Sequence, residues 1–220
     1  IKNLVVSTIL LTACASANAQ TFLYDGLWFD IESDETCILR STWIGPKYSG
    51  DIIVPEKAIY DGKEYTVTKT LGAFWRCDEL TSVSLPETIT TIGDQSFENC
   101  KKLEFLELAF CYKLESIEPL AGCENLKNLN ICYSKVSDLK ALDGLPLEQF
   151  MCKQTRVPAD EQKIFKEIHP DCVTNFYGKE PYAGAGWRYK DNGKTYTEIY
   201  KKVREVFDYD DMPMPTVAKK

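Results

Sequence analysis

Leu80, Leu103 and Leu126 stand 23 residues apart, and Cys77, Cys100 and Cys123 keep the same interval. Two residue types locked to one period define a repeat, and such a unit can bury its apolar edge only by stacking on its neighbours. The units run 80–102, 103–125, 126–146 and, in part, 147–157. Each opens with three apolar positions spaced L-x-x-apolar-x-apolar: Leu80, Val83, Leu85; Leu103, Leu106, Leu108; Leu126, Leu129, Ile131; Leu147, Phe150, Cys152. The last two of each set alternate about one residue, which is strand spacing with one face buried. Neighbouring units are therefore expected to stack as short parallel strands.

The return segments differ between units. Leu114, Ile117, Leu120 and Cys123, and again Val136, Leu139, Leu142 and Leu145, recur every three residues, a period suited to 3₁₀ turns. The unit before them instead carries Ile89, Ile92, Phe97 and Cys100 within I-T-T-I-G-D-Q-S-F-E-N-C. The stretch T-L-G-A-F-W-R-C, 70–77, reads as a shortened copy of it.

The run S-L-P-E-T-I-T-T-I-G-D-Q-S-F-E-N-C, 84–100, resembles the repeat unit of BspA-like bacterial leucine-rich repeat proteins, and the later units are similar to ordinary bacterial leucine-rich repeats. The resemblance covers about residues 22–177. It implies the α/β class and a right-handed leucine-rich-repeat solenoid with short parallel strands and an irregular 3₁₀ or helical convex side. A β-rich N-terminal cap and a helical C-terminal cap complete the expected fold. It further implies cell-surface or secreted binding roles with varied, extracellular or host-associated protein partners.

Six segments are expected: a signal peptide at 1–19, the β-rich cap at 20–68, repeats at 69–157, the C-terminal cap at 158–177, a loop plus amphipathic helix at 178–207, and a tail at 208–220. Lys2, the apolar stretch from Leu4 to Leu11 and the small residues ending in Ala17-Asn18-Ala19 fit a secretory leader with an A-x-A cleavage site. A second processing route fits the same residues, because Leu11-Thr12-Ala13-Cys14 resembles a lipobox whose cysteine becomes a lipid anchor. Either route exports the chain, to the medium, the periplasm or the bacterial cell surface. In the first cap, Asp25-Gly26 and Asp61-Gly62 are hairpin-turn dipeptides, and Asp51 to Glu56 echoes the V-x-L-P-E of Val83 to Glu87. In the second, Ile164, Phe165 and Ile168 fall at helical spacing before Pro170, and Cys172, Val173 and Phe176 suit a last strand. Beyond them, Ile199, Val203, Val206 and Phe207, with Tyr196 and Tyr200 adjoining, fall on one face of a helix. That helix is read as a cover for the solenoid or as a docking element.

The formal net charge is −7, which argues against nucleic acid, whose phosphates need a basic footprint. No later apolar run approaches membrane-spanning length. Cys77, Cys100 and Cys123 share one repeat position and should point the same way, a poor geometry for bridging, so mostly free thiols are expected. No C-x₂-C pair supports zinc, and no metal or cofactor is expected. No G-x-S-x-G, phosphate-cradling glycine loop or H-E-x-x-H occurs, and the His169/Cys172 spacing alone is a thin basis for a nucleophile and base. The chain is thus read as non-enzymatic.

Inward positions are consumed by packing, so function is expected on the outward strand face. The partner-binding candidates are Phe105, Glu107, Phe110, Asn128, Asn130, Tyr133, Gln149 and Met151, taken as exposed aromatics flanked by amides and a carboxylate. They fall in rows: Ser82, Phe105, Asn128, Gln149 and, beside it, Phe110, Tyr133, Gln154. A protein partner on this concave face is the leading reading. Its alternatives are a glycan stacked on Trp28, Trp43, Trp75 or Trp187, and an envelope assembly or inhibitor protein acting through the C-terminal helix.

Overall fold

A computed structural model describes residues 20–42 and 46–174. The readings for the leader, Cys14, Trp43, Trp187, Phe176, the 178–207 segment and the tail fall outside the described residues.

Both Asp-Gly dipeptides turn tight hairpins. Asp25 and Gly26 adopt φ of 48° and 76°, joining β1 (Thr21–Tyr24) to β2 (Leu27–Ile31). After β3 (Thr36–Arg40) and β4 (Gly50–Ile53), Asp61 and Gly62 at 50° and 75° join β5 (Lys57–Tyr60) to β6 (Lys63–Leu71). Positive φ at both turn residues matches the twist of the flanking strands. One sheet has the order β1-β2-β3-β6-β5, with β3 parallel to β6 and the other neighbours antiparallel. Its inward face includes Phe22, Phe29, Leu39 and Val67, all buried.

The repeats build a second sheet, in the order β12-β11-β10-β9-β7-β4, where β12 is Val173–Thr174. Its members β7 (Leu80–Ser84), β9 (Phe105–Glu107), β10 (Asn128–Asn130) and β11 (Gln149–Met151) come one from each unit and pair in parallel. Val83, Leu106, Leu129 and Phe150 stand in one register row and are fully buried. Leu80, Leu103 and Leu126 are likewise buried, as are Cys77, Cys100 and Cys123. The first strand of this ladder, β4, belongs to the 20–68 segment: the Asp51–Glu56 echo of the repeat places it beside β7, with Val54 N–H donating to the Ser84 carbonyl.

The return segments lie behind this sheet, across a continuous core. In the 80–102 unit the return forms β8 (Thr91–Ile92), which pairs with β6 and so ties the two sheets into one body. Gly93 follows it because the backbone there is too close for a side chain: a Cβ would meet the Thr70 carbonyl oxygen at 2.5 Å. Phe74 and Phe97, equivalent residues of adjacent turns, stack with centroids 5.2 Å apart. The period-three segments form 3₁₀ turns at Glu118–Leu120 and Lys140–Leu142, with Leu114, Ile117, Leu120 and Val136, Leu139, Leu142 all buried.

Helix α1 (Ala159–Ile168) begins after Pro158 and closes with His169 N–H donating to the Phe165 carbonyl. Phe165 packs on Phe150, centroids 4.8 Å apart, so the helix covers the last repeat. Ile164 and Ile168 do not share that face: they are 48% and 41% exposed. The chain then adds β12 (Val173–Thr174) beside β11.

Candidate functional site

The strand ladder turns sequence spacing into straight rows. Ser82, Phe105, Asn128 and Gln149 are in register, and Ser84, Glu107, Asn130 and Met151 form the row two residues on. Both rows point away from Val83, Leu106, Leu129 and Phe150, because side chains alternate along a strand. All eight candidates therefore gather on or beside one sheet face.

Just beyond the strands the chain bends the same way in each turn. Phe110, Tyr133 and Gln154 take φ of 66°, 63° and 58°, left-handed values that bulky residues seldom adopt. The bend is held by a ladder in which Phe110 N–H donates to the Cys132 carbonyl (2.8 Å) and Tyr133 N–H to that of Lys153 (2.9 Å). This geometry lays the Phe110 and Tyr133 rings face to face, 5.0 Å apart and 10° from parallel. Backbone strain at these positions is offset by the stack and the ladder.

The expectation of an exposed patch is corrected by burial. Phe105 and Phe110 are 2% exposed, while Glu107, Asn130 and Met151 have no accessible surface. Asn128, Tyr133 and Gln149 are half-buried. Lys153, two residues past Met151, is buried too, and desolvation holds its ammonium below the usual lysine range. Phe105, Ala109, Phe110, Cys132 and Met151 are buried yet lie outside the continuous apolar core behind the sheet. The outer face thus carries a second apolar group of its own.

Glu107 and Asn130 have a local task that sequence reasoning missed. The Glu107 carboxylate accepts the Ala109 N–H at 2.8 Å, and the Asn130 side-chain carbonyl accepts the Cys132 N–H at 3.0 Å. Their side chains also meet, Asn130 Nδ2 donating to Glu107 at 3.2 Å. An acceptor at the same position of successive units, two residues before a backbone N–H at the bend, was the available signal. Elsewhere on the face, the buried Ser84 Oγ and Gln149 Oε1 have no hydrogen-bond partner among the described residues.

The other candidate chemistries find little support. The eight cysteines among the described residues are free. Burial pushes the Cys37 and Cys123 thiols up to about 12 and Cys77 to about 11, and raises Cys100 as well, so these are packing groups. Cys172 is raised to about 12 by the same cause, the opposite of what a nucleophile needs, and His169 packs its ring on Phe165 at 4.5 Å. Lys47 and Arg76 stand over the Trp75 ring at 5.2 and 4.7 Å, using surface that a sugar would need. A groove of about 350 Å³ lined by Thr90 to Ile92 and Lys113 to Ser116 holds one carboxylate, Glu115.

The stacked parallel ladder with aligned leucines is a leucine-rich repeat fold. Residues 69–154 match the family model of the BspA type leucine rich repeat region, in 6 copies. Among solved structures, similarity is found to a leucine-rich repeat protein from Bacteroides ovatus (24% identity, TM-score 0.47, covering 59% of this chain and 34% of that one). A leucine rich cell surface protein from Faecalibacterium prausnitzii shares 18% identity at TM-score 0.41, over 73% of this chain and 51% of the other. A leucine-rich repeat protein from Bacteroides capillosus shares 22% at TM-score 0.49, over 60% of this chain and 98% of that one. The chain thus spans about a third and about half of the first two structures. No curated protein matches it.

Proposed function

We propose that this chain is a non-enzymatic binding module that seats a protein partner on the outer face of β9, β10 and β11, centred on Phe105, Asn128, Gln149 and the Phe110–Tyr133 stack. The observation that carries the reading is chemical. The half-buried Tyr133 ring, stacked on Phe110, shares a face with Ser84 Oγ and Gln149 Oε1, buried atoms without a hydrogen-bond partner among the described residues, and the inward side of that face is wholly used for packing. Large rings supply contact area at low entropic cost, and unsatisfied acceptors reward a ligand that brings donors. Glu107 and Asn130 shape the bend behind this surface, and fully buried Met151 stands in the same row.

In this proposal the solenoid is right-handed, with 20–68 and 158–177 as its caps. The charge, apolar and A-x-A pattern of 1–19 supports export, and the repeat family's usual setting supports an extracellular or host-associated partner. The test is affinity capture by the immobilised chain from envelope and host extracts, alongside Asn128→Ala and Tyr133→Ala. The expected result is one retained protein, held at least tenfold less by both variants at unchanged melting temperature. Retention untouched by either substitution, or saturable glycan binding lost in Trp75→Ala, contradicts it.

A further inference from the structure

Phe74, Trp75 and Arg76 occupy the corner that Phe97, Glu98 and Asn99 occupy one turn later. The two phenylalanines stack and the two corners bend alike, Arg76 at φ of 56° and Asn99 at 61°. Asparagine enters this left-handed region readily and arginine does not, so the turn itself gives no reason for a guanidinium here. A second cation reaches the same ring from another part of the chain. Lys47, in the loop before β4, holds its Nζ 5.2 Å from the Trp75 ring centroid, and the Arg76 Cζ stands at 4.7 Å. The Lys47 ammonium is fixed there, donating to Ser41 Oγ at 3.1 Å and to the Thr42 carbonyl at 3.0 Å. Neither cation enters an ion pair among the described residues. The carboxylates near the corner are engaged elsewhere: Asp78 with Lys101 at 3.4 Å, Glu79 with Lys102 at 2.6 Å, and Glu98 with the Asn99 amide at 3.2 Å. Two like charges gathered on one indole repel each other, and no described acid neutralises them.

We propose that Lys47, Trp75 and Arg76 form a binding site for a tetrahedral oxyanion, phosphate or sulfate, free or as the terminal group of a small molecule. The guanidinium offers a planar fork of N–H donors that takes two oxygens at once, and the ammonium adds a point charge. Ser41 and Thr42 use part of the ammonium's donors and leave the rest for a ligand. The indole holds both cations by their attraction to its ring, so the site needs little ordering when the anion arrives. Arg76 is exposed, whereas Trp75 and Lys47 are half-buried, so the open side of the site is the guanidinium. The site uses none of the outer-face residues and does not rest on the binding reading above.

Titration calorimetry of the full chain at constant ionic strength tests this, with inorganic phosphate, sulfate and methyl phosphate as probes and acetate as a planar, singly charged control. Arg76→Asn installs the residue that the next turn carries at this corner, so the variant keeps the fold. The expected result is saturable binding of at least one of the three tetrahedral probes, weakened about tenfold or more in both Arg76→Asn and Lys47→Met, with Arg76→Asn melting no lower than the parent. Methyl phosphate held as tightly as inorganic phosphate assigns the site to an esterified group, and inorganic phosphate or sulfate held more tightly assigns it to the free ion. No saturable heat with any of the three overturns the proposal, as does binding unchanged in Arg76→Asn or acetate bound equally well. If Lys47→Met lowers the melting temperature, Arg76→Asn alone decides. No protein partner enters these measurements, so they stand or fall apart from the capture experiment.

Discussion

The two sides of the repeat sheet are buried to different degrees and differently written: the inner rows wholly, the outer rows with Asn128 and Gln149 half-open. On the inner side one residue class recurs: Val83, Leu106, Leu129 and Phe150 in one row, with Leu80, Leu103 and Leu126 beside it. On the outer side the matching rows run Ser82, Phe105, Asn128, Gln149 and Ser84, Glu107, Asn130, Met151, with no shared class. Inner residues meet copies of themselves from adjacent turns, so the same shape must recur. Outer residues stand outside that repeated core, so each turn is free to differ.

This contrast can be tested from its strongest element downward. Leu106→Ala empties a packed inner position and should cost about 3 kcal/mol, read as a lower urea midpoint. If it costs no more than an exposed substitution, the inner row is not the core. Glu107→Ala should cost about 1–3 kcal/mol, because the Ala109 N–H and the Asn130 amide lose a buried acceptor. Glu107→Gln should recover part of that by keeping a carbonyl toward Ala109. A neutral Glu107→Ala would return this residue from bend-holding to the binding surface.

Alkali probes the thiols of the continuous core, Cys123 behind the repeat sheet and Cys37 in β3. An unfolded cysteine ionises near 9, whereas Cys123 and Cys37 in the fold are raised to about 12 by burial. Between those values the unfolded chain binds fewer protons than the folded one, so stability is intact below pH 9 and falls as pH rises above it. A Cys37→Ala/Cys123→Ala variant, though less stable at neutral pH, should show a shallower fall in melting temperature from pH 9 to 11. An identical slope would mean those thiols are not shielded. The smallest effect is at the bend: exposed Gln154 has φ of 58°, and Gln154→Gly should stabilise by about 0.5 kcal/mol as relief of the left-handed conformation outweighs added unfolded-state entropy. Destabilisation would show that the Gln154 side chain contributes more than its backbone costs.

The inner side was legible because periodicity names its residues: the four strands, the buried leucines, the 3₁₀ returns and the two Asp-Gly hairpins follow from spacing and turn chemistry alone. The outer rows were legible as positions, since Phe105, Asn128 and Gln149 do align, but not as surroundings. Whether an outward side chain is open depends on what lies over it, and that is a long-range fact with no local signature. Ile164 and Ile168 show the same limit at α1, where helical spacing marks an apolar pair and the fold buries only Phe165 between them. The tasks of Glu107 and Asn130 were hidden because their partners are backbone N–H groups, which no residue pattern displays.

The central claim is that successive turns are interchangeable layers of one ladder. Deleting residues 103–125 removes one full turn and brings Leu126 to the position of Leu103, so that β10 can pair with β7 as β9 does. Urea unfolding followed by circular dichroism should then show a single cooperative transition with a smaller denaturant dependence than the parent, since less surface is exposed. A deletion variant without any transition, already unfolded in buffer, would contradict the claim.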